Sequence, residues 1–375
     1  MKRIKHLVFL TSLSFSLGVF SCDFAGENSK TLQKPNIFIS EFYAGESIND
    51  CILELGTLEE EPFDISNLTL KVYSGSNLRL SYNFKGVQIS KSNLVLVENQ
   101  ESTFTDSTST ILKLEDNTLY GLYYVELVDE KNRMIDSLGF KEFNTSYVDQ
   151  QSLIKLPNHF LDRDKFDRMN YVKARKGVTK YLGNLETPVT EEEILEGPRL
   201  DSEEYGSLPF ESGDKSYGGY EKATVRRLGD GDTTFFNWPS GSSLSSSTSV
   251  RYLMIDTPEI DHGDGGGEKY GDTAKAFNNE KMSSATLIYV QSCRGGALHE
   301  NYGRYLGFVW YTTKQNPTFS DLRLLNFDIV KAGLAKHALY DKYEEMYYKD
   351  VLYFDYLAYA NAYAAKNKLY IHEDK

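Results

Sequence analysis

The chain has 375 residues, with 54 Asp and Glu against 41 Lys and Arg and a formal net charge of −13. From Gly219 onward 20 acids meet 18 bases, whereas the preceding residues carry 34 acids against 23 bases. No broad basic face is therefore available to attract phosphate backbones, and any nucleic-acid chemistry must depend on a few local cations.

Lys2, Arg3 and Lys5 precede an apolar run from Leu7 to Phe20. As a helix that run reaches only about 21 Å, whereas a bilayer core needs about 20 residues, so it reads as an export leader rather than a span. It ends in Val19-Phe-Ser-Cys22, which resembles the lipobox of bacterial lipoproteins. The resemblance implies a leader over 1–21, a lipidated Cys22 anchoring the mature protein to the bacterial envelope with exposure at the cell surface, and a polar tether over 22–35. An ordinary cleaved leader with a chance cysteine is the alternative. Acyl chains on one cysteine exceed the two hydrophobic signals that stable anchoring needs. The remaining length, about 350 residues, is too much for one core and predicts two domains. Cys51 and Cys293 lie far apart in it and are expected to be small buried residues rather than a disulfide.

Asn36-Ile-Phe-Ile-Ser-Glu-Phe-Tyr43 opens a series of short β-like runs that continues with Ile52 to Leu55, Leu68 to Tyr73, Leu94 to Val97 and Leu122 to Leu127. Turn residues such as Ser74-Gly-Ser-Asn77 separate them, and this spacing predicts an antiparallel sandwich. Ile39-Ser-Glu-Phe-Tyr, Ile52-Leu-Glu-Leu, Glu61-Pro-Phe-Asp-Ile-Ser-Asn-Leu-Thr-Leu, Ile135-Asp-Ser-Leu-Gly-Phe and Gln151-Ser-Leu-Ile-Lys-Leu-Pro resemble a lamin-tail domain. The resemblance implies an all-β immunoglobulin-like sandwich over 36–184, a binding or positioning module whose ligand the residues do not name.

Residues 185–219 follow, with nine acids between Thr187 and Gly218 against Arg199 and Lys215. This stretch reads as a flexible acidic linker. In the second domain, 220–375, strands are predicted at Ala223 to Leu228, Thr233 to Trp238, Val250 to Ile255, Leu287 to Gln291 and Tyr305 to Tyr311. Tyr270 to Ser284 reads as a helix with Ala274, Phe277 and Lys281 at helical spacing. Ser320 reads as the N-cap of another, and Tyr343 to Ala365 as a closing helix with tyrosines in its core.

Leu228-Gly-Asp-Gly-Asp-Thr233 taken alone is a hairpin turn. Its company is Arg251-Tyr-Leu-Met-Ile-Asp256-Thr-Pro-Glu259, then Glu268-Lys-Tyr-Gly271, Asn301-Tyr-Gly-Arg304, Val330-Lys-Ala-Gly-Leu-Ala-Lys336 and Lys368-Leu-Tyr-Ile371. In this order and spacing the segments resemble the staphylococcal nuclease (thermonuclease) family. The resemblance implies an α+β OB-fold, a five-stranded barrel with three helices. It implies a calcium-dependent endonuclease that acts on DNA and RNA with little sequence preference and leaves 3′-phosphate ends. Asp232, Asp256 and the carbonyl of Thr257 would ligate Ca²⁺, with Asp230 behind a water. Glu259 would be the general base or would orient the attacking water. Arg251 and Arg304 would grip the scissile phosphate, and Tyr270 and Tyr302 would either touch substrate or belong to the core.

Hydrolysis of a phosphodiester needs a hard cation, a group that places water and cations for the developing dianion; these residue types can hold the first and supply the other two. Arg251 and Asp256 reach one site only if the strand ends or bulges between them. Ile260-Asp-His-Gly-Asp-Gly-Gly-Gly267 carries acids and glycines where the family carries lysines, Asn301 stands in a lysine's place, and Leu339 beside Tyr340 in a tyrosine's. Asn237 to Ser249 is longer than the family hairpin. These departures predict weak, salt-sensitive binding, and they leave open a catalytically weak binding or adhesion lipoprotein, or an envelope protein whose working part is the sandwich. His262, His299 and His337 show no ligand spacing.

Overall fold

One alternating run of the N-terminal half shows why its residues form a strand. Along Leu68–Ser74 the inward positions are Leu68, Leu70 and Val72, with Thr69 and Lys71 between them half-buried, the period of two that a sheet with one buried face requires. A computed structural model describes residues 36–45, 47–121, 124–139, 151–163, 165–261, 263, 265–338 and 346–373. The leader, Cys22, the tether, His262, Leu339 and Tyr340 lie outside the described residues.

Six strands form one sheet in the order Tyr171–Lys173, Ser152–Lys155, Ile37–Ala44, Cys51–Thr57, Val95–Glu98 and Thr110–Lys113. Four form a second in the order Met134–Gly139, Tyr124–Asp129, Leu68–Ser74 and Asn77–Asn83. Ile39, Leu53 and Val97 of the first share a core with Leu70, Val125 and Leu138 of the second. Between the sheets Lys155 Nζ stands 3.0 Å from Asp136 Oδ2, both side chains almost fully buried. Asp136 also accepts the Ile39 and Ser137 amides at 2.8 Å.

The acidic stretch corrects the linker expectation. Helix α1 (Glu191–Glu196) begins in a capping box of Thr190 and Glu193, and α2 (Ser202–Tyr205) begins where Asp201 accepts the Glu203 and Glu204 amides. Val189, Ile194, Leu200, Tyr205 and Phe210 are buried. They join a core that also takes Ile154 and Val172 from the sandwich and Leu325 and Tyr356 from the C-terminal half. The acids face outward on a backbone whose apolar residues are anchored, so charge count alone misread it. Arg168 reaches Asp355 at 2.8 Å and Tyr181 Oη donates to Asp350 at 3.0 Å, tying the halves further.

The C-terminal half is built on β1 (Tyr220–Leu228), β2 (Thr233–Asn237), β3 (Ser249–Tyr252), β4 (Leu287–Gln291) and β5 (Tyr305–Thr312). They pair in the order β3-β2-β1-β4-β5, and a parallel pairing of β3 with β5 closes a five-stranded barrel. Against it pack α3 (Gly271–Ser284), α4 (Leu325–Lys331) and α5 (Tyr353–Lys366). On α3 the buried positions are Ala274, Asn278 and Met282, while Phe277 and Lys281 sit at the margin of that stripe, the ammonium 4.9 Å from the ring centroid.

Helix α4 starts at Leu325, not after Ser320, because Arg323–Leu324 first extends the sheet beside Trp310 and Tyr311. Similarly α5 starts at Tyr353, since Tyr347–Tyr348 and Val351–Leu352 form a hairpin through left-handed Lys349 and Asp350. Tyr353, Tyr356 and Tyr359 on α5 are buried, and Tyr353 meets Phe308 and Trp310 edge-on. Truncating a ring so enclosed costs about 3–5 kcal/mol. Cys51 and Cys293 are buried free thiols.

Candidate active site

The turn between β1 and β2 carries Asp230, Gly231 and Asp232. Gly231 does not need a left-handed backbone; a Cβ there would come within 2.8 Å of Ala274 on α3 and of the Thr257 hydroxyl. The glycine therefore lets the turn press against α3, and Asp232 is buried as a result. Its Oδ2 accepts the Thr257 amide at 2.9 Å and the Thr257 hydroxyl at 2.8 Å. The Asp230 carbonyl is held by Asn278 Nδ2 at 2.7 Å.

Strand β3 places Arg251 directly across from Thr233 on β2. The strand then ends at Tyr252, Met254 turns through φ 60°, and the short strand Ile255–Asp256 pairs with Lys336–His337. That break cancels the alternation that would have sent Arg251 and Asp256 apart. Arg251 Nη2 lies 2.6 Å from Asp256 Oδ1 and Nη1 is ion-paired with Asp232, so one guanidinium joins the two carboxylates. Asp232 is almost buried, while the Asp256 side chain is 60 % exposed, so the pair is closed on one side and open to solvent on the other.

Glu259 stands three residues beyond Asp256, its amide bound to Glu268 at 3.0 Å. Desolvation, followed by the charges of Asp232 and Asp230, holds its carboxyl above the usual range; Arg251 opposes and Asp256 adds to the shift. Its neighbour Gly271, the first residue of α3, has no room for a side chain against the Glu259 carbonyl. Arg304 stands one residue before β5. Its guanidinium donates to Glu300, with Nη2 at 2.9 Å, and Nη1 reaches the Thr233 hydroxyl at 3.3 Å. The Glu300 bond raises its pKa above the ordinary arginine value, with Asp232 reinforcing and Arg251 opposing.

Asp232, Arg251, Asp256, Thr257, Glu259 and Arg304 thus gather at one rim of the barrel, with Asp230 behind them. Tyr270 is the residue before α3, edge-on to Tyr370 at 5.4 Å. It lines a cavity of about 300 Å³ beside Asp256 and Thr257, together with Lys269 and Lys336. Tyr302 is 88 % exposed at the tip of the Glu300–Arg304 turn, so the core alternative does not hold for it. Asp261 accepts the Gly263 and Gly265 amides at 2.7 and 3.0 Å, so one acid of the glycine-rich loop shapes the loop itself. Sequence reasoning missed Thr233 and Glu300. The Glu300-Arg304 spacing of opposite charges was the available signal, but it lies in a turn rather than a helix.

A closed five-stranded barrel flanked by helices, with arginines and carboxylates at one rim, is the architecture of an OB-like domain. Residues 249–369 match the family model described as staphylococcal nuclease homologue. Strands β1 and β2, with Asp230 and Asp232, precede the matched residues and close the same barrel.

Proposed function

We propose that the protein is a lipid-anchored envelope nuclease that hydrolyses phosphodiester bonds of DNA and RNA with Ca²⁺ and little sequence preference. The observation that carries this reading is the convergence of Arg251 and Arg304 with Asp232, Asp256 and Glu259. Two guanidiniums suit the equatorial oxygens of a phosphoryl group, over which their delocalised charge can be spread.

Among the described residues no three Asp, Glu, His or Cys side chains stand in metal-holding geometry, and Arg251 spans Asp232 and Asp256. The donor chemistry nevertheless fits: carboxylate oxygens suit calcium, and Asp232, Asp230 and Asp256 all add to the rise that desolvation first imposes on the Glu259 carboxyl, a negative charge that a divalent cation offsets. Asp232 and Asp256 would hold the ion, with the Thr257 carbonyl and, through water, Asp230. When bound it supplies charge for the phosphate oxygens. The protein's own groups do the rest. Arg251 and Arg304 orient the phosphate and take up charge as it develops. Glu259 accepts the proton of the attacking water, a task helped by a carboxyl pKa raised toward working pH. Thr257 fixes Asp232, and Glu300 fixes Arg304.

The lamin-tail-like sandwich is proposed as the part that positions this domain, and Cys22 as the lipid attachment. A weak or inactive interaction lipoprotein is the second reading, favoured by the neutralisation of Arg251 by two carboxylates. Incubation of single-stranded DNA and RNA with the wild type, with EGTA and with Glu259→Gln decides. Digestion by the wild type alone, falling about 10²–10⁴-fold in the variant, is expected; persistence of both polymers in every sample overturns the nuclease reading. Loss of detergent-phase partition in Cys22→Ala tests the anchor.

A further inference from the structure

On the outer face of the barrel, away from every ion pair at the rim, stand two consecutive arginines. The β1–β2 pairing slips between Val225 and Arg227, so Arg226 is the extra residue of a bulge. Strict alternation would send Arg226 and Arg227 to opposite faces; the bulge breaks it, and both line one cavity of about 370 Å³ with Phe235 and Ser247. The Arg227 guanidinium lies over the Phe235 ring, 3.9 Å from its centroid. Arg226 Nη1 bonds the Ser246 carbonyl, which orients it without neutralising it. Both side chains are exposed, and among the described residues no carboxylate pairs with either.

The strand register ties this cavity to the active site. Phe235 lies opposite Arg227 on one side and Ser249 on the other. Two residues earlier Thr233, which receives Arg304, lies opposite Arg251. Residues two apart on a strand share a face, so the Phe235 row is the next one along from the Arg251 row, roughly 7 Å away. In a chain of net charge −13 this is a pair of uncompensated cations on the same barrel face as the phosphate-gripping arginines.

We propose that Arg226, Arg227 and Phe235 form a subsite for a single-stranded stretch of substrate beyond the scissile phosphate. The arginines hold phosphodiester oxygens, and an unstacked base lies on the Arg227–Phe235 stack, since guanidinium planes and rings accept bases of any sequence. A duplex keeps its bases stacked inside and engages only the charges. The subsite rests on the nuclease reading and extends it to strand length and strandedness.

Fluorescence anisotropy on full-length Glu259→Gln protein, with labelled oligo(dT) of about 12 and about 3 nucleotides, tests it. Adding Arg226→Gln and Arg227→Gln is expected to weaken the longer strand about tenfold or more and the shorter less than twofold. The salt slope for the longer strand should fall by about 1.4, two contacts at about 0.7 each. Phe235→Leu should weaken the single strand while leaving a duplex of equal length unchanged. Equal losses at both lengths, or none, overturn the subsite. Cleavage of the short oligonucleotide by the wild type reports separately on the nuclease reading: a chain that cleaves it but ignores the arginines loses only the subsite. A chain that cleaves nothing yet binds the long strand through them keeps the subsite and loses the nuclease.

Discussion

Arg251→Met isolates the charge balance at the barrel rim. The arginine and Asp232 are 10 % and 8 % exposed, so removal of the guanidinium leaves a desolvated carboxylate without its cation. Breaking a buried pair from one side costs about 3–5 kcal/mol. Asp232 keeps the Thr257 amide and hydroxyl, and Asp256 is open to solvent, which places the expected loss near the low end, about 3 kcal/mol. At about 2 °C per kcal/mol for a body of this size, the unfolding midpoint in EGTA should drop by about 6 °C. Calcium should return more to the variant than it gives the wild type, because in the variant Asp232 and Asp256 no longer share a guanidinium. With a millimolar Kd, about 10 mM Ca²⁺ returns about 1.4 kcal/mol to the variant. Thermal unfolding of both proteins in EGTA and in Ca²⁺ measures all four quantities. A variant as stable as the wild type in EGTA, with the same calcium shift in both, refutes the reasoning.

Glu300→Ala should lower kcat about tenfold by releasing Arg304 from its turn, with Glu300→Gln recovering part of it and neither moving the unfolding midpoint by more than a degree or two; steady-state kinetics on the short oligonucleotide reads this out. Burial, eased by the bonds from Ser40 and Gly183, raises the Glu54 carboxyl from 4.5 to about 8. The folded state therefore binds a proton that the unfolded state has released between those values, so stability from this group is full below pH 4.5 and declines as pH rises through 8. Denaturant unfolding at both ends of that window should show a steeper loss in the wild type than in Glu54→Gln, and parallel losses would refute it. Lys155→Met should cost about 3–5 kcal/mol by stranding Asp136, and Asp136→Asn/Lys155→Met should recover at least half, read from urea midpoints; a double variant as unstable as the single would show the pair is not the cause.

The barrel strands were legible because they are short runs rich in apolar and β-branched residues, and Leu287 to Gln291 was placed to the residue. The residues with chemistry were legible where chemistry is local: Asp230 to Asp232, Arg251 to Glu259 and Arg304 announce themselves by type and order. Their supports were not. Thr233 and Glu300 matter through what they hold, and a threonine or a turn glutamate carries no pattern until the partner is in place. The break between Arg251 and Asp256 was foreseen as a condition, but the left-handed Met254 that accomplishes it has no sequence signature. The acidic stretch was misread because its nine acids dominate the composition, whereas folding weighs Ile194, Tyr205 and Phe210 by the surface they bury. The start of α4 was misplaced because Arg323 and Leu324 serve the sheet before the helix begins.

The core that runs from Ile154 and Val172 through Tyr205 to Tyr356 has a practical corollary for anyone wishing to use the C-terminal half as a portable cassette. A cut at Tyr220 would strip the lining from α5 and expose a greasy flank, so the excised piece would clump or soften rather than behave as a miniature of the whole. Loss of activity in such a fragment would speak of a wounded scaffold, and only point changes in the intact chain can speak of chemistry.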